Sequence, residues 1–192
     1  MPRSKANTSS DPERRGAVDK SASLVKVNGW RIGFHAQILL QLEKLIAAVE
    51  EERRRHPGRV LQSQPAHILA SLRKLIFVDI PADPARSAYR QGDTLGRHRK
   101  HWFRAKFGNG RYRLFFRYRA SDKVLLFAWV NDERTLRTYG KSTDAYATFA
   151  AMLDRDDPPD GWDALLTACA TPEVMERWDR IMDRLIPTEG NA

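Results

Sequence analysis

The feature that most restricts how this chain can fold is a run of three strand-like segments, joined by very short turns, between Trp102 and Val130. Gly108-Asn109-Gly110 separates Trp102–Phe107 from Arg111–Arg119, and glycine–asparagine turns of this kind close β-hairpins. Ala120-Ser121-Asp122-Lys123 turns the chain again into Val124–Val130, which is apolar throughout. An unbroken apolar strand implies cover on both faces, hence a central position. Connections this short leave only antiparallel neighbours, so the segment predicts a β-meander. Strand alternation then sorts the side chains. Phe103, Ala105 and Phe107 share one face with Tyr112, Leu114, Phe116 and Tyr118. Trp102, Arg104 and Lys106 share the other with Arg111, Arg113, Phe115, Arg117 and Arg119.

That second face is dominated by one sign of charge. Between Asp93 and Asp122 there is no acidic residue, while Arg97, Arg99, Lys100, Arg104, Lys106, Arg111, Arg113, Arg117 and Arg119 fall there with His98 and His101. Like charges side by side across strands repel, and a solvated strand face usually mixes signs. The pattern therefore predicts an open basic face neutralised by a polyanion, for which the guanidinium fork is better suited than an ammonium group. The formal net charge of +9 agrees. On this reading Arg99, Lys100, Arg111, Arg117, Arg119 and Trp102 hold a nucleic-acid strand.

The remainder of the 192 residues suits one domain with added ends. Residues 1–26 are polar and read as a disordered tail. The domain proper is expected over 27–155, with a C-terminal helical extension over 156–192. Trp30, Ile32 and Phe34 alternate as in a half-buried strand. Leu39, Leu42, Ile46 and Val49 form a helical stripe that Pro57-Gly58 ends, and Pro65 opens a second helix carrying Ile68, Leu69, Leu72, Leu75 and Ile76. This is a helical hairpin to be packed on the sheet. Tyr146, Phe149 and Met152 mark a later helix, and Thr171-Pro172-Glu173 caps a last one. The single cysteine, Cys169, excludes an internal disulfide and fits a reducing cytoplasm. The N-terminus has no apolar signal region, and no apolar run is long enough for a membrane span, so neither secretion nor membrane attachment is expected.

Chemistry is expected beside the basic face. RNA carries its own nucleophile, the 2′-hydroxyl, so cleavage needs a base near that oxygen, cations at the pentavalent phosphorus and an acid for the leaving 5′-oxygen. Arg104, Lys106 and Arg113 are the candidates for the charge. His101, just ahead of a strand, and Tyr139 are the candidates for moving the proton, and Arg134 is placed to reach a phosphate. No metal-binding carboxylate or Cys/His cluster is evident, so no metal or cofactor is expected.

These residues also carry a resemblance. Trp30-Arg31-Ile32-Gly33-Phe34-His35, Tyr89–Gly96, His101–Phe107, Tyr112–Tyr118 and Ala128–Glu133 are similar to blocks of the YhaV toxins, and the similarity runs from about Gly29 to Ala168. It implies a RelE-like α+β fold: an N-terminal strand and helical hairpin on a small antiparallel meander, here with extra C-terminal helices. It implies an endoribonuclease of a type II toxin–antitoxin system that cleaves mRNA, with the ribosome as a further surface. It also implies a PrlF-like antitoxin of the swapped-hairpin DNA-binding type, the pair repressing its own operon DNA. Arg104 and Lys106 match the group's basic strand and Arg113 its arginine after the hairpin; Arg134 and Tyr139 match less closely, because Asp132-Glu133 intrudes where the group is basic. Two other readings stay open: a non-catalytic RNA- or DNA-binding co-repressor, and an inactive relative. Retention of Arg104, Lys106 and Arg113 speaks against the second.

Overall fold

The computed structural model describes residues 24–136 and 144–185. A five-stranded sheet in the order β1-β2-β5-β4-β3 lies between two layers of helix. The strands are β1 (Val25–Val27), β2 (Trp30–Phe34), β3 (Phe103–Phe107), β4 (Tyr112–Arg119) and β5 (Val124–Val130). β3, β4 and β5 form the expected antiparallel meander, and β5 is central and buried at every position. Two features lie beyond the sequence reading. β2 pairs with β5 in parallel, which is possible because a long helical crossover separates them in the chain. β1 pairs with β2 across the Asn28-Gly29 turn, so ordered structure begins inside the stretch read as tail.

One layer is the helical hairpin. α1 (Ala36–Arg55) is capped by His35, whose Nδ1 accepts from the Gln37 amide at 3.3 Å. α2 (Gln64–Lys74) begins at Ser63 with Pro65 in its first turn, continues through a π-helical turn (Leu75–Asp79) and ends in the short α3 (Ile80–Ala82). Pro81 has no N–H to give, and the wider turn lies directly before it. Ile38, Leu39, Leu42, Ile46, Leu72 and Ile76 meet Ile32, Phe34, Leu114, Phe116, Leu125 and Phe127 in the larger core. The last helix, α6 (Pro172–Leu185), joins the same core. Trp178 stacks on Phe34 with ring centroids 3.8 Å apart. Arg177 and Arg184 form two-pronged pairs with Glu43 and Glu50 of α1.

The other layer is α4 (Ala145–Asp154) and α5 (Trp162–Cys169). Its core holds Trp102, Phe115, Val124, Leu126, Ala128, Trp129, Phe149, Leu165 and Cys169. A bulge assists it. Phe115 faces Trp129 and Phe116 faces Phe127, leaving Ala128 unpaired. The extra residue turns Ala128 and Trp129 to the α4 side and Val130 to the α1 side. Gly33 leaves room for α5 to pack on the sheet: a Cβ there would stand 2.9 Å from Leu126 Cδ2 and 3.2 Å from Cys169 Cβ. Burial pushes the Cys169 thiol far up and leaves it inert. Among the described residues no helix is long and apolar enough to cross a membrane.

Candidate active site

Alternation sorts the faces correctly, but the basic face is not open. α4 and α5 lie over it. The physical reason is in the face itself: Trp102, Phe115 and Trp129 stand among the arginines and require cover. Phe149 of α4 stacks on Phe115 at 4.2 Å and on Trp129 at 5.8 Å. The arginines under this layer are held rather than presented, and they divide into two groups at opposite ends of β3 and β4.

At the hairpin end Arg104 and Arg113 are buried side chains, 8% and 4% exposed, tied together by Tyr146 of α4. Arg104 Nε donates to the Tyr146 hydroxyl at 2.8 Å, and its Nη1 donates to the Ala88 carbonyl. The Arg113 guanidinium lies 5.8 Å from the centre of the Tyr146 ring. Its Nη1 donates to the Gly110 and Tyr112 carbonyls at 2.6 and 2.8 Å, while its Nε is buried without a hydrogen-bond partner among the described residues. Asn131 completes the frame: its Oδ1 accepts from the Arg113 amide at 2.5 Å, and its Nδ2 donates to the Thr135 and Arg111 carbonyls. Lys106 stands opposite Arg113 on the ladder. Lys106 and Arg111 are exposed at the rim. Guanidinium groups fixed in this way can act on a nearby anion through their field without reorganising.

At the other end the acidic segment after α4 closes over the cations. Arg99 Nη2 donates to Asp154 at 2.7 Å. His101 Nε2 lies 2.9 Å from Asp160 Oδ1, which also accepts from Trp102 Nε1 at 2.6 Å. Burial alone would raise the Asp160 carboxyl; the hydrogen bonds from Trp102 and His101 and the nearby charges outweigh it and hold the group below the usual carboxylate range. Arg117 lies between the rings of Trp102 and Trp162, at 5.5 and 5.3 Å, and donates to the Asp160 carbonyl. Burial lowers its guanidinium from the ordinary value, against the pull of Asp160. Arg119 lies 4.8 Å from the Trp162 ring centre and pairs with Asp122, with Asp163 at 3.9 Å.

The structure thus brings together Arg104 and Arg113 with Lys106 opposite Arg113, leaves Arg111 exposed at the hairpin turn, and places Arg99, His101, Trp102, Arg117 and Arg119 in the second, carboxylate-paired group. Lys100 is exposed, 3.0 Å from Asp93. Arg134 is exposed on the turn Glu133–Thr135 and lines a cavity of about 560 Å³ with residues of α1 and α2. Tyr139 lies outside the described residues. Tyr146 and Asn131 were not among the candidates read from sequence. A signal existed for each: a tyrosine within an apolar helical stripe and an amide directly after a buried strand both need hydrogen-bond partners inside the fold. Among the described residues no three His, Cys, Asp or Glu side chains are grouped to hold a metal ion.

Comparison with known proteins agrees with the sequence blocks. Residues 32–170 match the family described as a toxin with endonuclease activity, of a toxin–antitoxin system. The ribonuclease toxin YhaV of Escherichia coli strain K12 is 43% identical over 141 residues, covering 73% of this chain and 92% of that protein. Toxin YhaV of Escherichia coli O6:H1 aligns to the same extent. No solved structure matches the chain at a significant level. With most of its length matched, and with the Arg104–Arg113–Tyr146 cluster inside the matched region, the chain belongs to the YhaV family of endonuclease toxins.

Proposed function

We propose that the protein is an endoribonuclease toxin that cleaves mRNA through attack of the 2′-hydroxyl on the adjacent phosphorus, without a metal ion, and so inhibits translation and growth. The observation that carries this reading is the hairpin-end cluster: Arg104 and Arg113 locked by Tyr146, beside the exposed Lys106. In this mechanism the substrate phosphate enters over the exposed Lys106, and the buried guanidinium groups of Arg104 and Arg113 stabilise through their field the negative charge that grows on the phosphorane oxygens. Arg104 holds the leaving side through the same field. The 2′-hydroxyl gives its proton to solvent as its oxygen bonds to phosphorus, the bond from phosphorus to the 5′-oxygen breaks, and that oxygen takes a proton from solvent, leaving a 2′,3′-cyclic phosphate and a 5′-hydroxyl. The Tyr146 hydroxyl, bonded to Arg104, is a proton-carrying group within this cluster; His101 is held at the other end by Asp160. The YhaV relative named as a ribonuclease toxin supports RNA as the substrate.

In the same reading the fold is RelE-like, residues 27–155 are the ribonuclease unit, and 156–192 are an extension that braces it through α6. The toxin–antitoxin family description implies an antitoxin. We take that partner to be PrlF-like, with a swapped-hairpin DNA-binding domain through which the pair represses its operon, and the ribosome to be the place where mRNA is met. Expression of wild type, Arg113→Ala and Lys106→Ala tests the enzyme and the site separately. The wild type arrests growth and cleaves RNA, and both variants lose this, Lys106→Ala without loss of fold because its side chain is exposed. A wild type that does neither defeats the enzyme reading; fully toxic variants defeat the site.

A further inference from the structure

We propose that the cavity between α2 and the tip of the β3–β4 hairpin is a nucleobase-reading pocket, holding an unpaired base of the RNA next to the scissile bond; this rests on the ribonuclease reading above. The cavity has a volume of about 340 Å³, within the range of pockets that take small organic groups. Gln62, Gln64 and His67 line its α2 side, and Gly108, Asn109, Arg111 and Tyr112 line its hairpin side.

Three observations favour a base over other occupants. The first is the lining chemistry. It holds three side-chain amides, Gln62, Gln64 and Asn109, each with a donor and an acceptor, an imidazole, and no carboxylate. Amides in this form match the edges of unpaired bases, whose hydrogen-bonding groups are free for recognition. The second is the aromatic floor. Tyr112 is fixed there by its ring contact with Phe107 at 5.3 Å and by Gln64 Nε2, which lies 3.3 Å from its hydroxyl. The close approach of this ring requires glycine at 108: a Cβ would stand 2.6 Å from Tyr112 Cδ2. At 5% exposure the ring closes the floor of the cavity as a fixed apolar wall, against which the edge of a base can rest. The third is continuity. The pocket lies on the α2 face of the hairpin and the cluster on the α4 face, and the two meet round the turn: Arg113 Nη1 donates to the Gly110 carbonyl at 2.6 Å, and Asn131 Nδ2 donates to the carbonyl of Arg111, which lines the pocket. A strand whose phosphate is held at Lys106 passes its neighbouring nucleotide round that turn to the pocket.

The pocket assigns specificity rather than chemistry, so its variants change which sequences are cut. The test is cleavage of a pool of single-stranded RNA, randomised over eight positions, by the full chain and by the double variant Gln62→Ala/His67→Ala. Both side chains are exposed, and thermal melting checks that the variant is folded. Cut positions are read by sequencing, and binding of the antitoxin is measured on the same preparations. The expected result is that discrimination between best and worst base at one position flanking the cut falls by about tenfold, the size of one lost base-edge contact, while antitoxin affinity is unchanged. Cutting by the variant with the wild-type base preference overturns the proposal. So does an unchanged preference with weakened antitoxin binding, which makes the cavity a protein-docking site. A wild type that cuts no RNA overturns the ribonuclease reading, and the pocket with it.

Discussion

Replacing Tyr146 with phenylalanine removes one oxygen from the centre of the arginine cluster and keeps the ring. Arg104, 8% exposed, then loses the acceptor that its Nε reaches at 2.8 Å. Its Nη1 keeps the Ala88 carbonyl, and the ring keeps its contacts with Arg113 at 5.8 Å and Phe115 at 5.6 Å. A buried charged donor left short of a partner costs about 1.5–3 kcal/mol. For a chain of this length each kcal/mol corresponds to about 2–4 °C, so Tm falls by about 3–12 °C. The larger effect is on cleavage. Arg104 is no longer pinned where the phosphate charge develops, and misplacement of such a group costs about 10- to 100-fold in rate. Differential scanning calorimetry gives the first quantity, and single-turnover cleavage well below both melting temperatures gives the second. Full cleavage rate with a lowered Tm would show that Tyr146 only packs, and an unchanged Tm would show that the hydrogen bond to Arg104 carries no stability; either result refutes the reasoning.

Other expectations concern the far end of the strands and the entry to α1. Asp160→Ala leaves Trp102 Nε1, in a fully buried ring, without its acceptor and costs about 1–2 kcal/mol in urea unfolding, the lower part of the range because the carboxylate is 34% exposed. Asp163→Ala, at 91% exposure and 3.9 Å from Arg119, leaves the midpoint nearly unchanged, and equal losses from the two would discount the buried acceptor. The Asp160 carboxyl is held low, so its stabilisation is complete above the unfolded carboxylate value and drains as pH falls through the depressed folded value; Asp160→Ala removes that acid-side slope. Burial lowers His35 from 6.5, with Asp157 opposing, so its contribution is present above that unfolded value and is lost as pH falls through the lower folded one. His35→Asn keeps a capping side chain without the titration, and its stability between pH 7 and 5 should be flatter than that of wild type; an equal slope would remove His35 as the cause.

Local patterns made much of this fold legible. The Gly108-Asn109-Gly110 turn, the apolar run of β5 and the cap of α6 each act within a few residues, and the structure follows them. Alternation also told which arginines share a face. It was silent on what lies over that face, because Asp154, Asp160 and Asp163 reach Arg99, His101 and Arg119 from some 44–59 positions away. The aromatic groups interleaved with the arginines were the available warning that a cover was needed. The parallel pairing of β2 with β5 has no local signature, since it depends on how the crossover packs. Within the candidate site, the division into two clusters follows from strand length: residues on one face at the two ends of β4 share an environment only if something spans them. Tyr146 counted as part of an apolar stripe, although its hydroxyl ties α4 to β3 at Arg104.

Cleavage of single-stranded RNA by the purified full chain in excess EDTA, with the new ends identified chemically, tests the central claim most directly. The cationic cluster predicts undiminished cleavage and a 2′,3′-cyclic phosphate on the upstream fragment. Loss of cleavage in EDTA, recovery on adding a divalent cation, and a 3′-hydroxyl end would contradict it.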